Sequence, residues 1–323
     1  MSEYLLETKN LCKYFDVGKG LKLHAVDGVS IKIPRGKTLG IVGESGCGKT
    51  TLGRTVLGLL SATSGEILYE GNDVSKMSGE QLRNMRRKMQ IIFQDPYSSL
   101  NPRHSVSQAI AEPLIVLGKM RNKQALKEKV CELMDVVGLD RRFYYSYPHE
   151  LDGGRRQRIG IARALALGPE FIVCDEPVSA LDVSIQAQIL NLLMDIQEEK
   201  HISYLFITHN LSVVKHISHE IAVLYLGQCV EQCETSALFE KPLHPYTKAL
   251  LDSILAPEIE TRNKEFHIIR GEITSPVNPP VGCRFAARCP YAGEQCTREN
   301  VPFEEVEKNH FVACIRCREI NNI

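Results

Sequence analysis

The run Gly43-Glu44-Ser45-Gly46-Cys47-Gly48-Lys49-Thr50-Thr51 sets two glycines five residues apart, directly ahead of a lysine and a hydroxyl residue. That spacing suits a loop whose backbone N–H groups cradle a phosphate chain, with Gly46 and Gly48 letting the main chain come close to the oxygens. Lys49 is then placed to contact β- and γ-phosphates, and the Thr50 hydroxyl to ligate Mg²⁺. Asp175-Glu176 supplies what a hydrolytic site also needs: one carboxylate for the outer shell of the metal and one to polarise an attacking water. Gln94 can touch both metal and water, His209 can reach the γ-phosphate, and the Phe15 ring can stack on an adenine. Together these residue types predict a protein that binds Mg-ATP and hydrolyses it.

Each of the polar residues follows an apolar run. Thr38–Val42 reads as a buried strand ahead of the glycine loop, and Leu52 to Leu60 is apolar at helical spacing, which is the strand–loop–helix context the loop requires. Gln90–Phe93 precedes Gln94, Phe171–Cys174 precedes Asp175, and Ser203–Thr208 precedes His209. Ile185, Ile189, Leu192, Leu193 and Ile196 mark an amphipathic helix between the last two of these strands. The alternation predicts an α/β fold with a mostly parallel sheet, helices on both faces and ligands at the carboxyl ends of the strands. Residues 96–155 read differently, as a helical insert with apolar positions at Leu126, Val130, Leu133, Met134 and Val137. The regular pattern ends near Pro257, so an ATP-binding domain over 1–256 and a tail over 257–323 are expected.

Lysine plus arginine and aspartate plus glutamate both total 39, a neutral balance that lacks the basic footprint of a nucleic-acid binder. No apolar run is long enough to span a bilayer and no charged apolar leader opens the chain, so the protein is expected to stay in the cytoplasm and to reach a membrane through partners. The 11 cysteines argue for metal or for buried apolar positions in a reducing compartment. Cys47 and Cys174 suit the second role. Cys283, Cys289, Cys296 and Cys314 are separated by five, six and seventeen residues, and two more separate Cys314 from Cys317. Four thiolates suit Zn²⁺ or an iron–sulfur cluster, and these gaps match neither the usual zinc ribbon nor the common ferredoxin runs.

Gly43 to Thr51, Gln94, Leu151 to Arg158, Phe171 to Glu176, Ser179-Ala180-Leu181-Asp182 and His209 resemble, in order and spacing, the ATP-binding subunits of ABC transporters. The resemblance covers about residues 4 to 256. It implies a P-loop NTPase core of the ABC ATPase type with an antiparallel β subdomain, a helical subdomain and a small Cys-rich C-terminal extension. It further implies that two such subunits pair head to tail, each ATP lying between one phosphate loop and the other subunit's signature, Leu151-Asp152-Gly153-Gly154-Arg155, with Asp182 at the dimer seam. Phe15 matches the adenine-stacking aromatic, Glu176 the catalytic carboxylate, His209 the switch histidine, and Thr50, Gln94 and Asp175 the magnesium set.

More narrowly, Asn101-Pro102-Arg103, Pro177 to Gln186, His244 to Leu251, Gly282-Cys283-Arg284-Phe285 and Arg288-Cys289-Pro290 look like the oligopeptide and dipeptide importer ATPases, which have relatives importing nickel complexes. That resemblance implies a heterodimer of ATPases beneath two membrane-spanning permeases, at the cytoplasmic face of the membrane, fed by an extracytoplasmic substrate-binding protein. It also favours a [4Fe–4S] cluster on Cys283, Cys289, Cys296 and Cys314, with Zn²⁺ as the alternative and Cys317 as a spare ligand. The competing class is a soluble ABC ATPase acting on ribosomes or DNA; those usually carry two cassettes or a coiled-coil insert, and this chain shows neither. One residue departs from the pattern: the signature usually reads Leu-Ser-Gly-Gly-Gln, whereas Asp152 replaces the serine and Arg155 the glutamine. An anion there would repel γ-phosphate, offset in part by Arg155, so the site that borrows Asp152 is expected to turn over slowly.

Overall fold

A computed structural model of the chain describes residues 3–95, 97–118, 120–253, 271 and 274–323. Pro96, where the helical insert was expected to begin, and the expected boundary at 256/257 lie outside the described residues. The chain opens with β1 (Tyr4–Asp16), β2 (Lys22–Val29), β3 (Lys32–Pro34), β4 (Thr38–Val42), α1 (Lys49–Val56), β5 (Ser64–Tyr69) and β6 (Asn72–Asp73). It continues through α2 (Gly79–Lys88), β7 (Met89–Ile92), α3 (Val106–Val116), α4 (Lys123–Val136), α5 (Gly153–Leu165), β8 (Phe171–Asp175), α6 (Val183–Lys200) and β9 (Ser203–Ile207). Then come α7 (Leu211–Ile217), β10 (Glu220–Tyr225), β11 (Gln228–Glu234), α8 (Thr235–Glu240) and α9 (Pro245–Asp252). The tail adds α10 (Gln295–Arg298), β12 (Glu304–Glu307), β13 (His310–Val312) and α11 (Cys317–Asn321).

The chain divides into two compact units, one of Met1–Leu5, Ile33–Lys37 and Asn72–Ile207, the other of Leu6–Lys32, Thr38–Gly71 and Thr208–Ile323. In the first, β7, β8 and β9 run parallel, with Met89 opposite Phe171 and Phe171 opposite Ser203. Every residue of β8 and β9 is buried, as parallel strands covered on both faces require. The expected insert is helical: α3, α4 and α5 pack on one another, with Ile110, Val130, Met134 and Ile159 all nearly inaccessible. Local chemistry sets their starts. Ser105 and Gln108 form a reciprocal capping box at α3, and Asn122 accepts the N–H groups of Gln124 and Ala125 at α4.

In the second unit β4 runs parallel to β10, Leu39 opposite Glu220 and Val42 opposite Val223. Beyond β10, where the sequence announced no further strand, the sheet turns antiparallel. β11 returns antiparallel after the turn at Leu226-Gly227, β13 pairs antiparallel with β11, and β12 with β13. A tight turn joins β10 to β11, and only an antiparallel return can be made through so short a connection. The tail is thus stitched into the sheet that carries the phosphate loop. The buried Glu231 carboxylate fixes the seam, accepting the N–H groups of Leu243 (2.7 Å) and His244 (2.9 Å) and bonding His310 Nε2 (2.7 Å). In the same unit β1 pairs antiparallel with β2 and with β5, the arrangement expected of a β subdomain.

Candidate functional site

The phosphate loop leaves β4, all five of whose residues are buried, and enters α1 at Lys49. Gly43 has φ +150°, and a Cβ there would stand 2.1 Å from the Leu224 carbonyl oxygen; Gly48 has φ +103°, and a Cβ would stand 1.9 Å from that of Ala25. No side chain fits at either position, which fixes both as glycine. Gly46 also has positive φ (+79°), but a Cβ there would meet nothing within 4 Å, so the loop crest faces open space. Ser45 and Gly46 are exposed while Lys49 is only 5% exposed, its Nζ donating to the carbonyls of Gly43 (2.8 Å) and Glu44 (2.9 Å). The lysine thus lies beneath the loop, and backbone N–H groups at the start of α1 form its anion-attracting rim. Cys47 is buried, its thiol pKa raised by burial, and its carbonyl accepts the Gly227 N–H (2.8 Å); as expected it acts through packing and backbone.

Phe15, half-buried near the end of β1, faces Leu23 across the hairpin, with Lys13 Nζ 4.9 Å from its ring centroid. His209 is exposed just after Thr208. Both belong to the unit that holds the loop.

The other unit brings Gln94, Asp175 and Glu176 together. Asp175 closes β8 at 1% exposure. Glu176 turns into the left-handed region at φ +46°, a conformation that costs a residue of this type on the order of 1 kcal/mol or more. Its N–H donates to the Ile207 carbonyl (2.9 Å), and Gln94 Nε2 donates to its carboxylate at 3.0 Å. The predicted catalytic carboxylate is therefore strained, half-buried and held by the predicted sensor of metal and water.

The signature residues start α5. Asp152 is its N-cap, accepting the Arg155 N–H at 2.8 Å, and its second oxygen forms an ion pair with the Arg155 guanidinium. That guanidinium also lies 4.9 Å from the Phe143 ring centroid. A Cβ at Gly154 would stand 2.8 Å from Ile185 Cγ2 and one at Gly153 3.2 Å from Leu181 Cδ2, so both glycines seat the signature on the Leu181–Ile185 turn. Asp182, exposed, is the N-cap position of α6. In the same unit a cleft of about 390 Å³ opens between α3 and α4, lined by Ser107, Ala111, Ile115, Leu126 and Tyr144; Val116 at its edge is 67% exposed.

Cys283, Cys289, Cys296 and Cys314 all line one small cavity beside Phe285 and Ala286. A close backbone approach draws two of them together: Cys283 N–H donates to the Cys296 carbonyl (2.7 Å), and only glycine fits at position 282 (φ +108°). Burial raises the thiols, Cys283 to about 11 and Cys314 to about 12. Cys317 lies outside this cavity, packed with Leu243 and Val312. Among the described residues no group of three or more His, Cys, Asp or Glu side chains stands in an arrangement that would hold a metal ion. The cavity measures about 20 Å³, room for about one water. The four thiols expected to carry a [4Fe–4S] cluster thus line one common cavity.

Two contacts to the phosphate loop were not foreseen. The Glu44 N–H donates to the buried Tyr246 hydroxyl (2.9 Å), and the Glu44 carboxylate takes two hydrogen bonds from Arg288, at 2.8 and 3.2 Å. The His244–Leu251 and Arg288-Cys289-Pro290 runs stood out in the sequence, but nothing in their spacing pointed back to Glu44.

Among the described residues no helix is long and apolar enough to cross a membrane. Residues 26–179 match the ABC transporter family model, and residues 230–296 match that of the oligopeptide/dipeptide transporter C-terminal region. The chain is 49% identical to the oligopeptide transport ATP-binding protein AppF of Bacillus subtilis, covering 97% of each chain. It is 48% identical to the dipeptide transport ATP-binding protein DppF of Haemophilus influenzae, over 96% of each. A solved dimeric ATP-binding cassette, MJ0796, in a post-hydrolysis state bound to ADP and Pi is 28% identical, with a TM-score of 0.65 over 71% of this chain and 98% of that one. Identity near one half, sustained from end to end, shows that the chain has the ABC ATPase fold and belongs to the oligopeptide and dipeptide transport ATP-binding proteins.

Proposed function

We propose that this chain hydrolyses Mg-ATP to drive import of di- or oligopeptides through two permease subunits, as a peripheral subunit at the cytoplasmic face of the membrane. The observation that carries the hydrolytic part is the strained Glu176 carboxylate held 3.0 Å from Gln94 directly after Asp175. Its peptide cargo rests on the similarity to peptide transport ATP-binding proteins along the whole chain. The phosphate loop and Lys49 bind the triphosphate; Thr50, Gln94 and Asp175 serve Mg²⁺; Phe15 stacks on the base. Glu176 orients and deprotonates the attacking water, and His209 contacts the γ-phosphate. A second ATPase subunit closes the site with its signature, and Leu151–Arg155 of this chain, with Asp182 at the seam, closes the opposite one. An extracytoplasmic binding protein delivers the peptide.

The cleft between α3 and α4 is the seat for a cytoplasmic permease helix, because it combines apolar walls with an exposed apolar rim. Cys283, Cys289, Cys296 and Cys314 are the set that would hold a [4Fe–4S] cluster; it would brace the tail, and no step of hydrolysis runs through it. Metal and sulfide analysis of anaerobically purified protein checks this: iron with sulfide is the expected result, and zinc alone or no metal contradicts it.

The test of the main reading is Glu176→Gln in membranes holding the permeases. ATP binding is expected to persist while turnover falls by about 10²–10⁴-fold, the usual reach of a general base. Ordinary turnover would remove Glu176 from the chemistry.

A further inference from the structure

Arg288 stands in the tail, 244 residues beyond the phosphate loop it touches. The Ala286–Arg288 turn carries it between Phe285, which is 2% exposed, and Cys289. Its side chain is 7% exposed, and the guanidinium meets three groups: both oxygens of Glu44 and, at 3.3 Å, the Tyr225 hydroxyl. Tyr225 in turn packs on Tyr246 at 4.7 Å between ring centroids, and edge-on against Phe285 at 5.3 Å.

Glu44 is therefore gripped at every polar point. Its carboxylate is forked by Arg288, its N–H is taken by Tyr246, and its carbonyl receives Lys49 Nζ at 2.9 Å. A bidentate guanidinium–carboxylate pair fixes direction as well as distance, and screening by salt is weak where the groups are mostly shielded from water. The residue after Gly43 is thus locked while the crest at Ser45-Gly46 stays open.

We infer that Arg288 is a positioning residue for ATP binding, acting through Glu44 to hold the phosphate loop and Lys49 in the shape that receives the triphosphate. The grip acts on the loop whether the phosphate is in its ground or its transition state. Its loss therefore weakens ATP binding and raises KM while leaving kcat unchanged.

The experiment measures binding of a fluorescent ATP analogue with Mg²⁺ to the full chain. It compares wild type, Arg288→Ala, Glu44→Ala, the double variant and Arg288→Lys, and adds KM and kcat for ATP in the assembled transporter. Arg288→Ala and Glu44→Ala are each expected to raise Kd about tenfold, the low end of what losing an outer partner of a binding group costs. The double variant should be no worse than either single one, because both remove the same pair. Arg288→Lys should recover part of the loss, since lysine keeps the charge and loses the fork. Glu44→Ala leaves the tail's arginine and cysteines in place, so it answers the question even if Arg288→Ala unfolds the tail. Unaltered affinity in Glu44→Ala, additive losses in the double variant, or a fall in kcat at constant KM each overturn the inference.

Discussion

Glu176 shows how much of a site can be read from residue types and how much cannot. Its identity and place after an apolar strand were legible, because a carboxylate following Asp at a strand end has few other uses beside a phosphate loop. The left-handed backbone was not legible; glutamate gives no local signal for φ +46°, which occurs where its N–H bonds the distant Ile207 carbonyl. Asp152 teaches the complementary lesson. Read alone it is a bare anion set against γ-phosphate, whereas in the fold one oxygen caps α5 and the other pairs with Arg155. The slow site expected from charge repulsion accordingly depends on this pair opening over nucleotide, because a closed pair offsets the charge. Serine is also a good N-cap, so Asp152→Ser should leave stability within about 0.5 kcal/mol. If Asp152 slows the borrowed site, the same variant speeds turnover there. Thermal unfolding together with nucleotide-trapping counts at each of the two sites measures both, and equal trapping before and after the change would acquit Asp152.

At the level of elements, the glycines of the phosphate loop divide into two kinds that a motif cannot distinguish. Gly48 is pressed against the Ala25 carbonyl, whereas Gly46 has positive φ and free space. Gly48→Ala forces a backbone clash between the loop and β2, and should lower the unfolding temperature as well as abolish ATP binding. Gly46→Ala meets only the left-handed penalty, about 1–2 kcal/mol, and should keep the fold while weakening binding at the exposed crest. Circular dichroism melts beside analogue binding separate the two, and equal destabilisation would mean that the loop moves as one piece. The helices of the insert and the strands β4, β7, β8 and β9 were readable because hydrophobic period and capping residues are local. The reversal to antiparallel order after β10 was hidden, since strand direction is decided by connection length and distant partners rather than by composition.

For the whole molecule, β12 and β13 of the tail extend the sheet that carries the phosphate loop. Glu231 opposite Val312, Lys248 bonded to Asn321, and Arg288 on Glu44 join positions far apart in sequence, and no pattern in the chain announces such pairs. Removing residues 257–323 would strip β12 and β13, bare the β11 edge and leave the Glu231 carboxylate without His310. An opened edge strand invites aggregation. The shortened protein should be mostly insoluble, as measured by the soluble fraction and thermal unfolding against the full chain; a soluble, ATP-binding product would show that the tail is dispensable to the core.

The most direct measurement is peptide uptake into proteoliposomes holding the permeases, the partner ATPase and the binding protein, with phosphate release followed in parallel. Wild-type chain should give ATP-dependent uptake, and Glu176→Gln should retain bound ATP while uptake and release from its site fall together. Undiminished uptake with the glutamine variant would contradict the account.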